Sequence, residues 1–183
     1  MKRTQLYYKD MAEIVGSDGF SVVRLTDADE QRVLCVICDR AMTEQMNIRF
    51  KRLPATNLLL PEVLVSMILS EGEGVVDFEL MVYDVIDGKY RVTLLNKRTS
   101  ALRPIRISDA VLLHYISRIP FYIEEGLMAK QSTRFDAETT NVNIPINTLD
   151  TERLRSELDR AVSDENYRLA SYLHEELQKR GKG

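Results

Sequence analysis

The residues best placed to do chemistry are Arg106, Ser108 and Asp109, which stand just before the apolar run Ala110-Val111-Leu112-Leu113. A helix start uses such residues. A serine hydroxyl caps the first N–H groups, and a first-turn acid complements the positive end of the dipole. A phosphate site uses them too. Arg106 would hold the anion beside the helix N-terminus, while Asp109 would bind a metal or orient water. From sequence both readings stand, and Arg106 can pair with Asp109 or point to solvent.

The surrounding segment is basic. Residues 86–118 carry Lys89, Arg91, Lys97, Arg98, Arg103, Arg106 and Arg118 against Asp87 and Asp109, so the segment is net +5 in a chain of net −3. Segregated positive charge is the footprint of a phosphate backbone. It is equally what a solvated sheet face beside an acidic partner would show. Lys97, Arg98 and Arg103 are the candidate nucleic-acid contacts.

Two-metal hydrolysis needs several converging carboxylates. The candidates are Glu62, Asp77, Glu79, Asp84 and Asp109, but no compact ligand motif joins them. A divalent metal is therefore compatible with the sequence but not identified by it. Cys35 and Cys38 lie on a predicted strand, where positions i and i+3 point to opposite faces, so they read as buried thiols rather than a chelating pair. His114 in an apolar helix and His174 near the C-terminus read as structural.

Elements must position these groups. The chain has 183 residues, 44% hydrophobic and 29% charged, with no Trp. That composition excludes wholesale disorder and a disulfide scaffold, and calls for a core of Leu, Ile, Val and Met. No apolar run approaches a membrane span. With two Cys and no export signal in the sequence, the expected compartment is the cytoplasm.

Leu6–Ile14 and Phe20–Leu25 read as strands around a Gly16-Ser17-Asp18-Gly19 turn, and Arg32–Cys38 as a buried strand. A helix over Ala41–Lys51 stops before Pro54. Thr56 or Asn57 would cap a second helix whose Leu60, Val63, Leu64, Met67 and Ile68 form one stripe. Val75–Asp84 and Tyr90–Asn96 read as a hairpin about Asp87-Gly88. A strand at Ser100–Ile105, a helix capped by Ser108, a strand at Pro120–Glu124 and a short helix to Gln131 follow. This order predicts an α+β fold, a mixed or antiparallel sheet with packed helices. Residues 1–131 form the main domain, 132–148 a Thr- and Asn-rich linker, and 149–183 an α-helical hairpin. Stripes through Leu154 and Leu158, then Leu169, Leu173 and Leu177, are more than two short helices can shield, which predicts docking or self-association.

Two resemblances accompany this reading. The Leu154…Leu158…Ala161-Val162 helix, the Asp164-Glu165-Asn166-Tyr167 turn and the Ala170…Leu173…Glu176-Leu177 helix resemble the UVR motif, named for two components of bacterial excision repair. The resemblance implies protein docking, through Leu154, Leu158, Tyr167, Leu173 and Leu177.

The larger domain resembles the bifunctional nuclease family, described as cleaving DNA and RNA. The likeness lies in Arg106-Ile107-Ser108-Asp109-Ala110 with the following helix and Ile119-Pro120-Phe121-Tyr122-Ile123. It extends to Val33-Leu34-Cys35-Val36-Ile37 and Pro54-Ala55-Thr56-Asn57-Leu58. It implies phosphodiester hydrolysis with Arg106, Ser108 and Asp109 in the site. The chain departs from the family at Cys35 (usually Pro), Met42 (often acidic), Asn57-Leu58 (His-Asp) and Ile107 (Pro). The alternative on the same fold is a non-catalytic nucleic-acid- or protein-binding adaptor. The expected partners are nucleic acid and a protein partner or a second copy, giving a homo-oligomer; no membrane partner is expected.

Overall fold

A computed structural model of the chain describes residues 2–14, 19–52, 54–70, 77–135, 146 and 149–180. It is mixed α+β, as the element order predicts. The strands are β1 (Arg3–Glu13), β2 (Ser21–Thr26), β3 (Arg32–Cys38), β4 (Phe78–Ile86), β5 (Lys89–Asn96), β6 (Ala101–Ile105), β7 (Phe121–Glu124) and β8 (Thr133–Arg134). The α-helices are α1 (Arg40–Phe50), α2 (Leu60–Ser70), α3 (Ile107–Ser117), α4 (Glu125–Gln131), α5 (Thr151–Ser163) and α6 (Tyr167–Arg180).

The strands form one sheet in the order β6-β5-β4-β7-β1-β2-β3-β8. Every neighbouring pair is antiparallel except β4 and β7. A parallel pair needs a crossover, and β5, β6 and α3 supply it. Asp87 and Gly88 both take positive φ (50° and 72°), the geometry of a tight hairpin turn whose twist matches its strands. The turn expected at residues 16–19 lies almost wholly outside the described residues, but β1 and β2 pair antiparallel on either side of it.

β3 sorts its side chains by strand alternation. Leu34, Val36 and Cys38 join the main core with Met42 and Met46 of α1, Ala110 and Val111 of α3, and Leu127 and Met128 of α4. Val33 and Cys35 join Val22 on the opposite face, with Ile37 and Phe135 packed alongside. The two thiols are thus free, buried and on opposite faces, as the strand period requires.

Four local expectations need correction. Thr56 and Asn57 do not begin α2; they lie in a 3-10 turn, Pro54–Leu58, that precedes it. The predicted stripe on α2 is split. Val65 and Ile68 face the core, while Leu60, Val63, Leu64 and Met67 are exposed, Leu60 by 68%. The helix is rotated so that Glu62 meets Arg49, a buried ion pair with no apolar signature. Thr133–Arg134, placed in the linker by composition, pairs with β3 as the edge strand β8; most of the remaining linker lies outside the described residues.

The fourth correction concerns the terminal hairpin. Asp150 caps α5 by accepting from the Arg153 N–H at 2.8 Å, and Asn166 caps α6 by accepting from the Leu169 N–H at 3.2 Å. Leu154, Ala161, Ala170 and Leu173 are buried between the helices, with Leu158, Leu169, Leu177, Ile146 and Leu149 packed around them. Leu154 and Leu173, expected at a docking surface, are therefore interior, while Leu158, Leu169 and Leu177 stay part-buried and Tyr167, Tyr172 and Val162 are exposed.

Candidate functional site

The N-terminus of α3 opens onto a cavity of about 600 Å³. One wall is Arg106-Ile107-Ser108; another is Lys89 to Val92 of β5, with Pro104 and Ile105 of β6. Cys35 and Ile37 of β3, with Asp39 after it, face them across the cavity. Four strands stand between β5 and β3 in the sheet order. At about 4.8 Å per strand a flat sheet would hold them about 24 Å apart, so the sheet must curl to bring both to one cavity. Phe20 and the start of the terminal hairpin, Asp150 and Arg153, complete the lining.

The α3 terminus differs from its predicted form. Arg106 is the N-cap, in extended conformation, and no side chain caps the helix. Ser108 lies one step inside the helix and is buried, so it cannot fill the capping position. Among the described residues no side chain takes the first-turn N–H groups, and Ile107 and Ser108 of that turn line the cavity.

Arg106 and Asp109 do come together. The guanidinium donates from Nε to Oδ2 at 2.7 Å and from Nη2 to Oδ1 at 3.0 Å, a forked pair. That hydrogen bond, with the charge of Asp109, pushes Arg106 further up from its ordinary value. Both carboxylate oxygens of Asp109 are committed to Arg106, and Asp109 does not line the cavity. Its geometry fits orienting Arg106 better than direct contact with a ligand.

Lys89, Arg91, Arg106 and Arg153 line the cavity against Asp39 and Asp150. Both acids are helix caps: Asp39 accepts from the Met42 N–H at 2.8 Å, and Asp150 serves α5. Among the described residues Lys89 and Arg91 make no ion pair; both are exposed, on the face of β5 opposite the buried Tyr90 and Val92. Tyr90 lines the cavity too, is only 8% exposed, and its buried hydroxyl has no hydrogen-bond partner among the described residues. Burial raises the Tyr90 phenol above its usual range, so it remains a neutral donor. Burial likewise pushes the Cys35 thiol up to about 11 and the Cys38 thiol up to about 12. Neither is a nucleophile in that state.

The other candidates lie elsewhere. Lys97 and Arg98 occupy the turn at the far end of the β5–β6 pair. Six residues of strand separate Arg91 from Lys97, about 20 Å at 3.3 Å each. Arg103 is exposed on the edge strand β6, where it donates to the Leu102 carbonyl at 3.1 Å. The carboxylates do not converge either. Glu62 pairs with Arg49 and Glu79 with Arg3, each at 2.7 Å, while Asp84 accepts from the Val85 N–H. Among the described residues no three His, Cys, Asp or Glu side chains gather as a metal site. His114 is buried and donates from Nδ1 to the Ile119 carbonyl at 2.7 Å; burial lowers its pKa, so it is held neutral. His174 lies against Gln178 on α6.

Sequence reasoning missed Asp39, Tyr90 and Arg153. Lys89 and Arg91 carried a signal in the basic segment; Arg153, 47 residues beyond Arg106, carried none. No helix among the described residues is long and apolar enough to cross a membrane. The chain matches no protein-family model and no curated protein.

Proposed function

We propose that this chain is a nuclease, a phosphodiester hydrolase of DNA or RNA, with its site in the cavity at the start of α3. The observation that carries the reading is the helix terminus without a side-chain cap, opening beside Arg106 and Ser108 into a cavity that also collects Lys89 and Arg91. The amide dipoles of the α3 terminus and the neighbouring Arg106 guanidinium suit a phosphodiester anion. They suit better the extra negative charge that builds as water adds to phosphorus and the P–O bond to the leaving sugar breaks. Arg106 would contact the phosphoryl oxygens, Asp109 would fix Arg106, and Ser108 would donate to the anion. Asp39 lies exposed on the cavity wall with one carboxylate oxygen on its own helix, which suits it to accept the proton of the attacking water.

A second reading, a nucleic-acid-binding adaptor without catalysis, is favoured by one specific observation. The carboxylates that metal-assisted hydrolysis would use are dispersed over the fold, and Glu62, Glu79 and Asp109 are each held by an arginine. The deciding experiment incubates purified protein with labelled single- and double-stranded DNA and RNA, in Mg²⁺ or Mn²⁺ and in EDTA. Cleavage that falls at least tenfold in both Arg106→Gln and Asp39→Asn supports the nuclease. Retention of labelled strands without cleavage supports the adaptor. No cleavage and no retention removes both.

A further inference from the structure

We infer that the terminal hairpin supplies Arg153 to the cavity as a phosphate-binding group, so that a bound nucleic-acid strand clamps the hairpin onto the sheet. The inference rests on the nucleic-acid reading of the same cavity and deepens it.

Arg153 belongs to the first turn of α5, yet it lines the same cavity as Arg106 and Ser108. Its guanidinium carbon sits over the Phe20 ring, 4.3 Å from the centre, a cation–π contact that ties it to the sheet domain. A ring contact of this kind uses no N–H donor, so the guanidinium keeps its donors for an anion. Its acidic neighbour does not take them. Asp150 Oδ2 stands 3.8 Å from Arg153 Nε, beyond hydrogen-bond range, whereas the forked pair on Arg106 closes to 2.7 Å.

Among the described residues the hairpin has little else to hold it against the sheet. Its apolar cluster consists of its own residues with Ile146 and Leu149, and no sheet residue takes part. A phosphate bridging Arg153 to the α3 terminus would therefore add a substantial share of the docking. By reciprocity, whatever holds the hairpin in place must tighten the strand's binding by the same factor.

The test uses the full chain and a short fluorescent single-stranded DNA, followed by anisotropy across a salt series. Arg153→Gln should weaken binding about tenfold and flatten the salt dependence by about one unit of slope, as expected for one lost phosphate contact. Arg155→Gln, the same charge change two residues further along α5 and exposed, should leave both unchanged. Arg153→Lys should restore the slope but only part of the affinity, since it lacks the fork. The second readout is hydrogen exchange in residues 150–158, which the DNA should slow in wild type and not in Arg153→Gln. If Arg153→Gln binds like wild type while Arg106→Gln does not, the clamp is overturned and the nucleic-acid reading stands. If binding falls equally in Arg153→Gln and Arg155→Gln, Arg153 has no specific role and the clamp is overturned. If wild type does not bind, both fall.

Discussion

Glu62 separates a structural carboxylate from a catalytic one. It was a candidate metal ligand by residue type, but in the fold it receives Nε and Nη2 of Arg49 at 2.7 and 2.8 Å. Arg49 is nearly inaccessible and also donates to the Gln45 carbonyl at 2.7 Å, so it cannot turn to water. Removing one partner of a buried pair costs about 3–5 kcal/mol, because the remaining charge is left buried and uncompensated. The Glu62 side chain is 14% exposed, and glutamine retains one acceptor oxygen, so Glu62→Gln belongs at or below the low end of that range. A loss of about 2–3 kcal/mol, with a urea slope of about 2 kcal/mol/M, lowers the unfolding midpoint by about 1–1.5 M. Urea titration followed by circular dichroism measures it. Arg49→Met with Glu62→Leu should recover much of the loss, since an apolar pair of similar volume has no charge to desolvate. A Glu62→Gln midpoint within about 0.25 M of wild type would refute the reasoning. Unchanged stability with lost metal-dependent cleavage would instead return Glu62 to the site.

Three further outcomes follow from the same geometry. His114 has a lowered pKa in the fold, so the unfolded chain binds more protons below about pH 6.5 and stability falls as the pH drops through that value; urea midpoints at pH 7.5 and 5.5 should diverge in wild type and converge in His114→Gln. Cys35 and Cys38 are buried with raised pKa values, so at pH 8 a thiol reagent should label neither until denaturant is added. Leu173 is packed between α5 and α6, so Leu173→Asp should unfold the hairpin, lowering helical circular dichroism, whereas Leu64→Lys on the exposed face of α2 should move stability by no more than about 0.5 kcal/mol.

What the sequence made legible was local. The β-branched run at Arg32–Cys38 and the Asp87-Gly88 turn each carry their geometry in adjacent residues, and both formed as read. Ser108 misled because a serine before an apolar run is a cap by type, while the helix begins one residue before it. The α2 stripe misled for a different reason. Periodicity shows that a helix has a face, but the face turned inward carries Val65 and Ile68 together with Glu62 paired to Arg49, a partner the apolar pattern does not register. β8 is two residues long, too short for any period to register. The cavity is less legible still, since it exists only through the curl of the sheet and the return of a segment near residue 150.

The charge of the cavity shows why net charge predicted so little. Arg3, Arg24 and Arg49 are paired with Glu79, Asp10 and Glu62, each joining separate elements of the fold. Those acids and arginines cancel locally and contribute little field beyond their own contacts. Around the cavity the balance differs. Asp39 and Asp150 each give an oxygen to the N-terminus of their own helix, and Asp109 is committed to Arg106. Lys89 and Arg91 have no acidic partner among the described residues, and Arg153 has one only at 3.8 Å. A chain of net −3 can thus present a locally positive surface, because the acids nearest it are committed to helix N-termini and to Arg106. An anion approaching the cavity meets an uncompensated remainder that is solvent-exposed at Lys89 and Arg91, so its attraction weakens as salt is added.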